Sequence, residues 1–73
     1  MQLQVGQRIP IAVNGEAVET GAATLAGLLA ELGYDEGAVA TALNGTFVPR
    51  AARAGTRLAA GDKVEIVAPR QGG

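Results

Sequence analysis

The chain has 73 residues with 11 Gly, no Cys, no His and no Trp, and its formal net charge is -1. This length predicts one small domain, and the missing Cys and His exclude disulfides, thiolate zinc sites, a cysteine nucleophile and a histidine general base. The near-neutral charge and the 3% aromatic content argue against binding to nucleic acid or to a membrane surface. No apolar run is long enough to span a bilayer and no signal peptide is evident, so we expect a cytoplasmic protein that is not an enzyme by itself.

The first predicted element is a β-hairpin. Two short strand-like runs, Ile9–Val13 and Glu16–Thr20, are separated by Asn14-Gly15. Asn and Gly tolerate the positive φ that a type I′ turn requires, so this pair is a strong hairpin signal. Residues 1–8 precede the hairpin and are expected to form a lead-in.

A helix is predicted from Thr24 to Leu32. Thr24 is a suitable N-cap, and Gly33 is a suitable left-handed residue after the last turn. The predicted apolar face consists of four leucines at helical spacing: Leu25, Leu28, Leu29 and Leu32. Residues at this spacing lie on one side of a helix, so we expect all four to pack in the core.

Three further short strands are expected after the helix, at residues 39–43, 46–48 and 63–68. Asn44-Gly45 predicts a turn between the first two strands. Pro49 and Pro69 end the second and third strands, because Pro cannot donate to the strand ladder. Residues 50–60 are predicted to be irregular, with room for one helical turn.

This order of elements predicts an α+β fold of the β-grasp, or ubiquitin-like, class. The helix lies between the hairpin and the remaining strands, so the crossover places it on one face of a mixed four- to five-stranded sheet. We assign residues 9–69 to the β-grasp domain, residues 1–8 to the lead-in, and residues 70–73 to a flexible C-terminal tail.

The chemistry of this chain is expected at its Gly72-Gly73 end. Glycines let the backbone enter a narrow channel because no side chain has to fit, and Arg70–Gly73 when extended reaches at most about 14 Å. A partner enzyme could therefore bring the Gly73 carboxylate in line with the α-phosphorus of ATP. The resulting acyl adenylate is open to attack by sulfur, which would leave a C-terminal thiocarboxylate that carries the sulfur.

Three segments carry a resemblance to a known family: Ala42–Arg50 (ALNGTFVPR), Gly61–Ala68 (GDKVEIVA) and Pro69–Gly73 (PRQGG). They resemble the thiamine-biosynthesis sulfur carrier family, ThiS, and the resemblance extends over residues 9–73. The Val-Pro-Arg of the first segment and the Gln-Gly-Gly of the last are its most specific parts.

The resemblance implies a carrier that is a co-substrate of other enzymes. Gly73 would be adenylated by an E1-like enzyme with ATP, take up sulfur from a sulfur donor, and deliver it to thiazole synthase for the thiazole ring of thiamine. Gly72, Gln71 and Arg70 would give the terminus access to these enzymes. No bound cofactor or metal is implied, and we expect a monomer with no nucleic-acid or membrane partner.

Two surfaces are candidates for docking these partners. Phe47 is expected to pack in the core, with an exposed apolar patch as the alternative, and Val67 should point outward from the last strand and belong to such a patch. The second candidate is a loop with three arginines, which either dock an acidic partner surface or serve solubility alone: Arg50, Arg53 and Arg57.

Three other functions stay open at this point. The small subunit of molybdopterin synthase is also a β-grasp protein with a Gly-Gly end, although Val48-Pro-Arg50 and Pro69–Gly73 favour the thiamine family. A ubiquitin-like modifier would join Gly73 to lysines through isopeptide bonds. A β-grasp interaction module would carry the Gly-Gly end incidentally.

Overall fold

The computed structural model describes residues 8–68, which form a five-stranded mixed sheet and one α-helix. The elements are β1 (Ile9–Val13), β2 (Glu16–Thr20), α1 (Leu25–Leu32), β3 (Ala40–Leu43), β4 (Thr46–Val48) and β5 (Lys63–Val67), with 3₁₀ helices at Glu36–Ala38 and Arg50–Gly55. The strand order is β2-β1-β5-β3-β4; β1 and β5 are parallel, and the other neighbouring pairs are antiparallel. The predicted mixed sheet packed on one helix is confirmed.

Both predicted hairpins are present and turn at their Asn-Gly pairs. Asn14 and Gly15 have φ angles of 52° and 85°, and Asn44 and Gly45 have φ angles of 51° and 86°. A type I′ turn requires positive φ at both central residues, which Asn and Gly adopt at low steric cost. The local sequence therefore determines both turns.

Helix α1 begins and ends at the residues that the sequence indicates. The Thr24 hydroxyl oxygen accepts a hydrogen bond from the Gly27 N–H at 3.1 Å, as an N-cap does. Gly33 has a φ of 84°, and its N–H donates to the Ala30 carbonyl oxygen at 3.1 Å. This left-handed residue closes the last turn of the helix.

The core lies between α1 and one face of the sheet, which we call the inner face. Within residues 8–68 it consists of eight buried apolar residues: Ile11, Val13, Leu25, Leu28, Leu29, Val48, Val64 and Ile66. Leu32 is not among them, since it is 39% exposed, so the prediction that it packs in the core is wrong. It is the last residue of the helix, and no further turn follows to cover it.

The connections between strands differ most from the prediction. The sequence does not predict the 3₁₀ helix at Glu36–Ala38. Strand β3 follows it and begins at Ala40 rather than at residue 39. The Asp35 carboxylate caps this helix by accepting from the Gly37 N–H at 3.0 Å. Residues 50–60 were expected to be irregular with room for one helical turn, and Arg50–Gly55 form the second 3₁₀ helix. Strand β5 ends at Val67 rather than at residue 68.

Arg53 is buried, with only 3% of its surface exposed. Its Nε donates to the Thr41 hydroxyl oxygen at 3.1 Å, and its Nη1 and Nη2 donate to the carbonyl oxygens of Glu36 and Val39, each at 2.8 Å. The prediction that Arg53 belongs to an exposed basic patch is therefore wrong, because its donors join the second 3₁₀ helix to β3 and to the first 3₁₀ helix.

Candidate functional site

The outer face of the sheet, opposite α1, carries two large exposed apolar side chains among the residues that the structure describes. Phe47 of β4 is 65% exposed and Val67 of β5 is 61% exposed. The prediction that Phe47 packs in the core is wrong, because the register of β4 with β3 turns Val48 inward and Phe47 outward. The predicted outward orientation of Val67 is confirmed.

Phe47 and Val67 lie on either side of β3. Ala42 of β3 is paired with Phe47 on one side and with Glu65 on the other, and Ala40 is paired with Val67. Strands β4 and β5 are about 10 Å apart across β3, and the short alanine side chains between them cover neither neighbour. We call these five residues (Ala40, Ala42, Phe47, Glu65 and Val67) the outer patch.

Several candidate residues meet at one end of the sheet. Val67, the last residue of β5, is paired with Ala40, the first residue of β3, and Val48, the last residue of β4, is paired with Thr41. The end of β5, the end of β4 and the start of β3 therefore coincide. We call this the exit end, because from here the chain continues to Pro69 and the remaining residues of the sequence.

Arg50 lies exposed at the exit end, two residues after β4. Its Nε is 3.8 Å from the Glu36 Oε1, and the two side chains are 66% and 45% exposed. An ion pair this exposed is weak, so Arg50 can turn to a partner at little cost. Arg57 is exposed beside the start of α1, where its backbone forms an isolated bridge with Thr24. The three arginines predicted as one patch therefore lie in three different environments.

Asn14 connects the first hairpin to the last strand. Direct pairing of β1 with β5 covers only Ala12 with Lys63 and Val13 with Val64. The side chain of Asn14 extends this contact: its Oδ1 accepts from the Ile66 N–H at 2.8 Å, and its Nδ2 donates to the Ile66 carbonyl oxygen at 3.1 Å. Sequence reasoning identified Asn14 only as a turn residue, since its partner is 52 residues away.

Some sequence predictions concern residues outside 8–68. The predicted carrier residue Gly73 and the access residues Gly72, Gln71 and Arg70 lie outside the described residues, as does the lead-in up to residue 7. Within residues 8–68, no cluster of three or more acidic side chains could hold a metal ion, and no helix is long and apolar enough to cross a membrane. The division into lead-in, domain and tail and the expectation of no bound cofactor stay predictions.

Comparison with known proteins identifies the family. The model of the ThiS family matches residues 11–73 of the chain. The chain belongs to the ThiS family. It is similar to the crystal structure of the thiamine biosynthesis protein ThiS from Geobacter metallireducens, with a TM-score of 0.74 and 30% sequence identity over 89% of this chain and 100% of that one. No curated protein matches the chain.

Membership in the ThiS family confirms the predicted β-grasp fold and the predicted general role. The chain is a small sulfur carrier protein of thiamine biosynthesis, not a catalyst itself, and its partners are sulfur-transfer enzymes. A carrier must bind its partner enzymes, and the outer patch is an exposed surface with two large apolar side chains.

Proposed function

We propose that Gly73 is the sulfur-carrying residue, adenylated by an E1-like enzyme with ATP, converted to a thiocarboxylate, and used by thiazole synthase as the sulfur source for the thiazole of thiamine. The observation that carries this proposal is the family match, which extends through Gly73. The fold supports it, because β5 ends at Val67 on an open end of the sheet and the sequence reaches Gly73 six residues later.

The proposed chemistry requires no reactive side chain from the carrier. A carboxylate oxygen of Gly73 attacks the α-phosphorus of ATP and displaces pyrophosphate. Hydrosulfide supplied by the donor then attacks the acyl carbon of the adenylate and displaces AMP, and loss of the S–H proton to a base of the partner enzyme leaves the thiocarboxylate. The chain has neither Cys nor His, so any thiol or imidazole base in these steps comes from the partner enzymes.

We place partner docking on the outer patch. Its two large apolar side chains, Phe47 and Val67, are mostly exposed, and covering one side chain of this size contributes about 1.5–3 kcal/mol. Glu65 within the patch and Arg50 at the exit end supply the charged groups that commonly surround an apolar contact. Because Gly73 occupies one active site at a time, the same patch can serve the adenylating enzyme and thiazole synthase in turn.

The access residues have separate tasks in this proposal. Gly72 lets the chain pass through a narrow part of the partner's channel, since it has no side chain to accommodate. Arg70 and Gln71 lie between the domain and the glycines in sequence, so they reach the partner whenever Gly73 is in its active site. Arg70 is the cation best placed in the sequence to pair with an acidic group at the mouth of that channel.

Pyrophosphate release tests the adenylation step. The protein is incubated with the E1-like enzyme of thiamine biosynthesis and ATP, beside a variant lacking Gly73 and the matched variant Gly55→Ala, which alters an exposed glycine in the second 3₁₀ helix. Removal of Gly73 shortens the reach by about 3.5 Å, so release of pyrophosphate should stop, while Gly55→Ala should behave as the wild type. Continued release without Gly73 would contradict the proposal.

The same material separates the alternative functions. Preference for the large subunit of molybdopterin synthase over thiazole synthase would assign the chain to molybdenum cofactor synthesis. Conjugates of Gly73 with lysine side chains in cell extract would assign it to the protein modifiers. Thiazole formation that needs both this protein and its Gly73 would support the proposal.

A further inference from the structure

We propose that Asn14 is a positioning residue for the reaction at Gly73, acting through the last turn of β5. This inference rests on the proposed function of Gly73. Asn14 itself contacts no reacting atom; it holds Ile66, and thereby sets the direction in which the chain leaves the exit end.

Among the hydrogen bonds between the first hairpin and β5, those with Ile66 lie nearest the exit end. The Asn14 backbone N–H donates to the Val64 carbonyl oxygen at 2.8 Å, and the side-chain amide then binds both backbone groups of Ile66, at 2.8 and 3.1 Å. A side-chain amide has the same donor and acceptor as a peptide group, so it continues the ladder where β1 has already turned away. Without it, these two groups of Ile66 lose their partners.

The other backbone pairing of β5 at the exit end is with β3, while the Ile66 side chain packs in the core. Backbone groups of successive strand residues point to opposite neighbours, so those of Val67 point to β3, where Val67 is paired with Ala40. Loss of the Asn14 side chain therefore loosens the β1 side of Ile66 and leaves Val67 in the outer patch. We expect docking to persist and the presentation of Gly73 to become less precise.

The second Asn-Gly turn supplies a matched control. The side chain of Asn44 also holds β5, since its Oδ1 accepts from the Lys63 N–H at 2.9 Å and its Nδ2 donates to the Asp62 Oδ1 at 3.0 Å. Its φ of 51° equals that of Asn14 within a degree. It differs in location, because Lys63 is the first residue of β5, at the end opposite the exit end. Asn44→Gly thus removes the same kind of contact at the first residue of β5 instead of near its last.

The experiment compares Asn14→Gly with Asn44→Gly in single-turnover adenylation, with the E1-like enzyme in excess. Gly accepts the positive φ of both turns, so each variant loses the amide without added backbone strain. For Asn14→Gly we expect the maximal rate to fall about tenfold and the half-saturating enzyme concentration to change less than about twofold. For Asn44→Gly we expect both values to stay within about twofold of the wild type.

Hydrogen exchange gives a readout of the contact itself. The Ile66 amide should exchange at least about tenfold faster in Asn14→Gly than in Asn44→Gly, because its acceptor is gone. Asn14→Asp is the second variant: it keeps an acceptor for the Ile66 N–H but places a carboxylate oxygen against the Ile66 carbonyl. We expect it to lower the maximal rate as well, and it carries the test if Asn14→Gly is unfolded.

Each outcome is decisive for the proposal. Equal maximal rates for the Asn14 and Asn44 variants, or a change confined to the half-saturating concentration, would overturn the positioning role. Absence of adenylation in the wild type would instead overturn the proposed function of Gly73, so the two failures are distinguishable.

Discussion

The Nε of Arg53 donates to the Thr41 hydroxyl oxygen at 3.1 Å, and that hydroxyl in turn donates to the Val48 carbonyl oxygen at 2.9 Å. Thr41 and Arg53 are 2% and 3% exposed, so this chain of hydrogen bonds is buried. It joins the second 3₁₀ helix to β3 and to β4, the strand that carries Phe47. The exposed outer patch therefore depends on a buried cation on the other side of the sheet.

Replacement of Arg53 should destabilise the fold. Arg53→Met keeps much of the side chain's length but removes the donors to Thr41, Glu36 and Val39, and we expect the free energy of unfolding to fall by about 2–4 kcal/mol. Arg57→Met is the matched control, since Arg57 is exposed and its loss should change the free energy by less than about 0.5 kcal/mol. Urea denaturation measures both values, and equal losses would show that Arg53 has no special structural role.

The end of α1 should be sensitive to a single methyl group. Gly33 has a φ of 84°, and a Cβ there would meet nothing within 4 Å, so Gly33→Ala adds backbone strain and no clash. We expect a loss of about 1–2 kcal/mol in the free energy of unfolding. Gly55→Ala is the control, because Gly55 has an ordinary φ and equally open space. An equal effect of both variants in thermal denaturation would contradict this explanation of the helix end.

The outer patch should determine partner affinity with little effect on stability. Phe47 is 65% exposed, so Phe47→Ala should change the free energy of unfolding by less than about 0.5 kcal/mol. We expect it to raise the KM of the adenylating enzyme for this protein about tenfold, since a central aromatic side chain of an interface is commonly one of its main contributors.

Tyr34→Ala is the control for the patch. Tyr34 is also an exposed large side chain, at 36%, but it follows α1 rather than lying on the sheet. Its replacement should leave the KM unchanged. A KM that responds to Tyr34 and not to Phe47 would move the docking surface from the sheet to the helix.

Gly72 should tolerate no bulky side chain in the partner's channel. We expect Gly72→Val to unfold at the wild-type temperature, because residues 69–73 follow the last strand, and to be adenylated at least about a hundredfold more slowly. Gly72→Ala, with a smaller side chain, should give an intermediate rate. Wild-type adenylation rates for both variants would contradict the access argument.

Most of the fold could be predicted from the sequence because neighbouring residues specify its turns and helix ends. The Asn-Gly pairs and the Thr24 and Gly33 caps act within a few residues, so turns and helix ends could be placed from the sequence alone. The family resemblance then located the carrier function, which the match to the ThiS family bears out in its general form.

The orientations of Phe47 and Arg53 and the contact made by Asn14 could not be predicted, because each depends on residues distant in the sequence. Phe47 lies between two residues that both suit a strand, and only the register of β4 with β3 decides whether its side chain points outward. Arg53 is one of three similar arginines, and only the path of the second 3₁₀ helix turns it inward. The pairing of Asn14 with Ile66 spans 52 residues, and nothing in either segment indicates it.

The central claim is that Gly73 carries sulfur as a thiocarboxylate, and the intact mass of the protein tests it most directly. After incubation with the adenylating enzyme, ATP and a sulfur donor, we expect the mass to rise by the difference between one sulfur and one oxygen atom, with fragmentation assigning the change to Gly73. The variant lacking Gly73 should show no change. An unaltered mass for the full chain, or a sulfur atom found at any other residue, would contradict the claim.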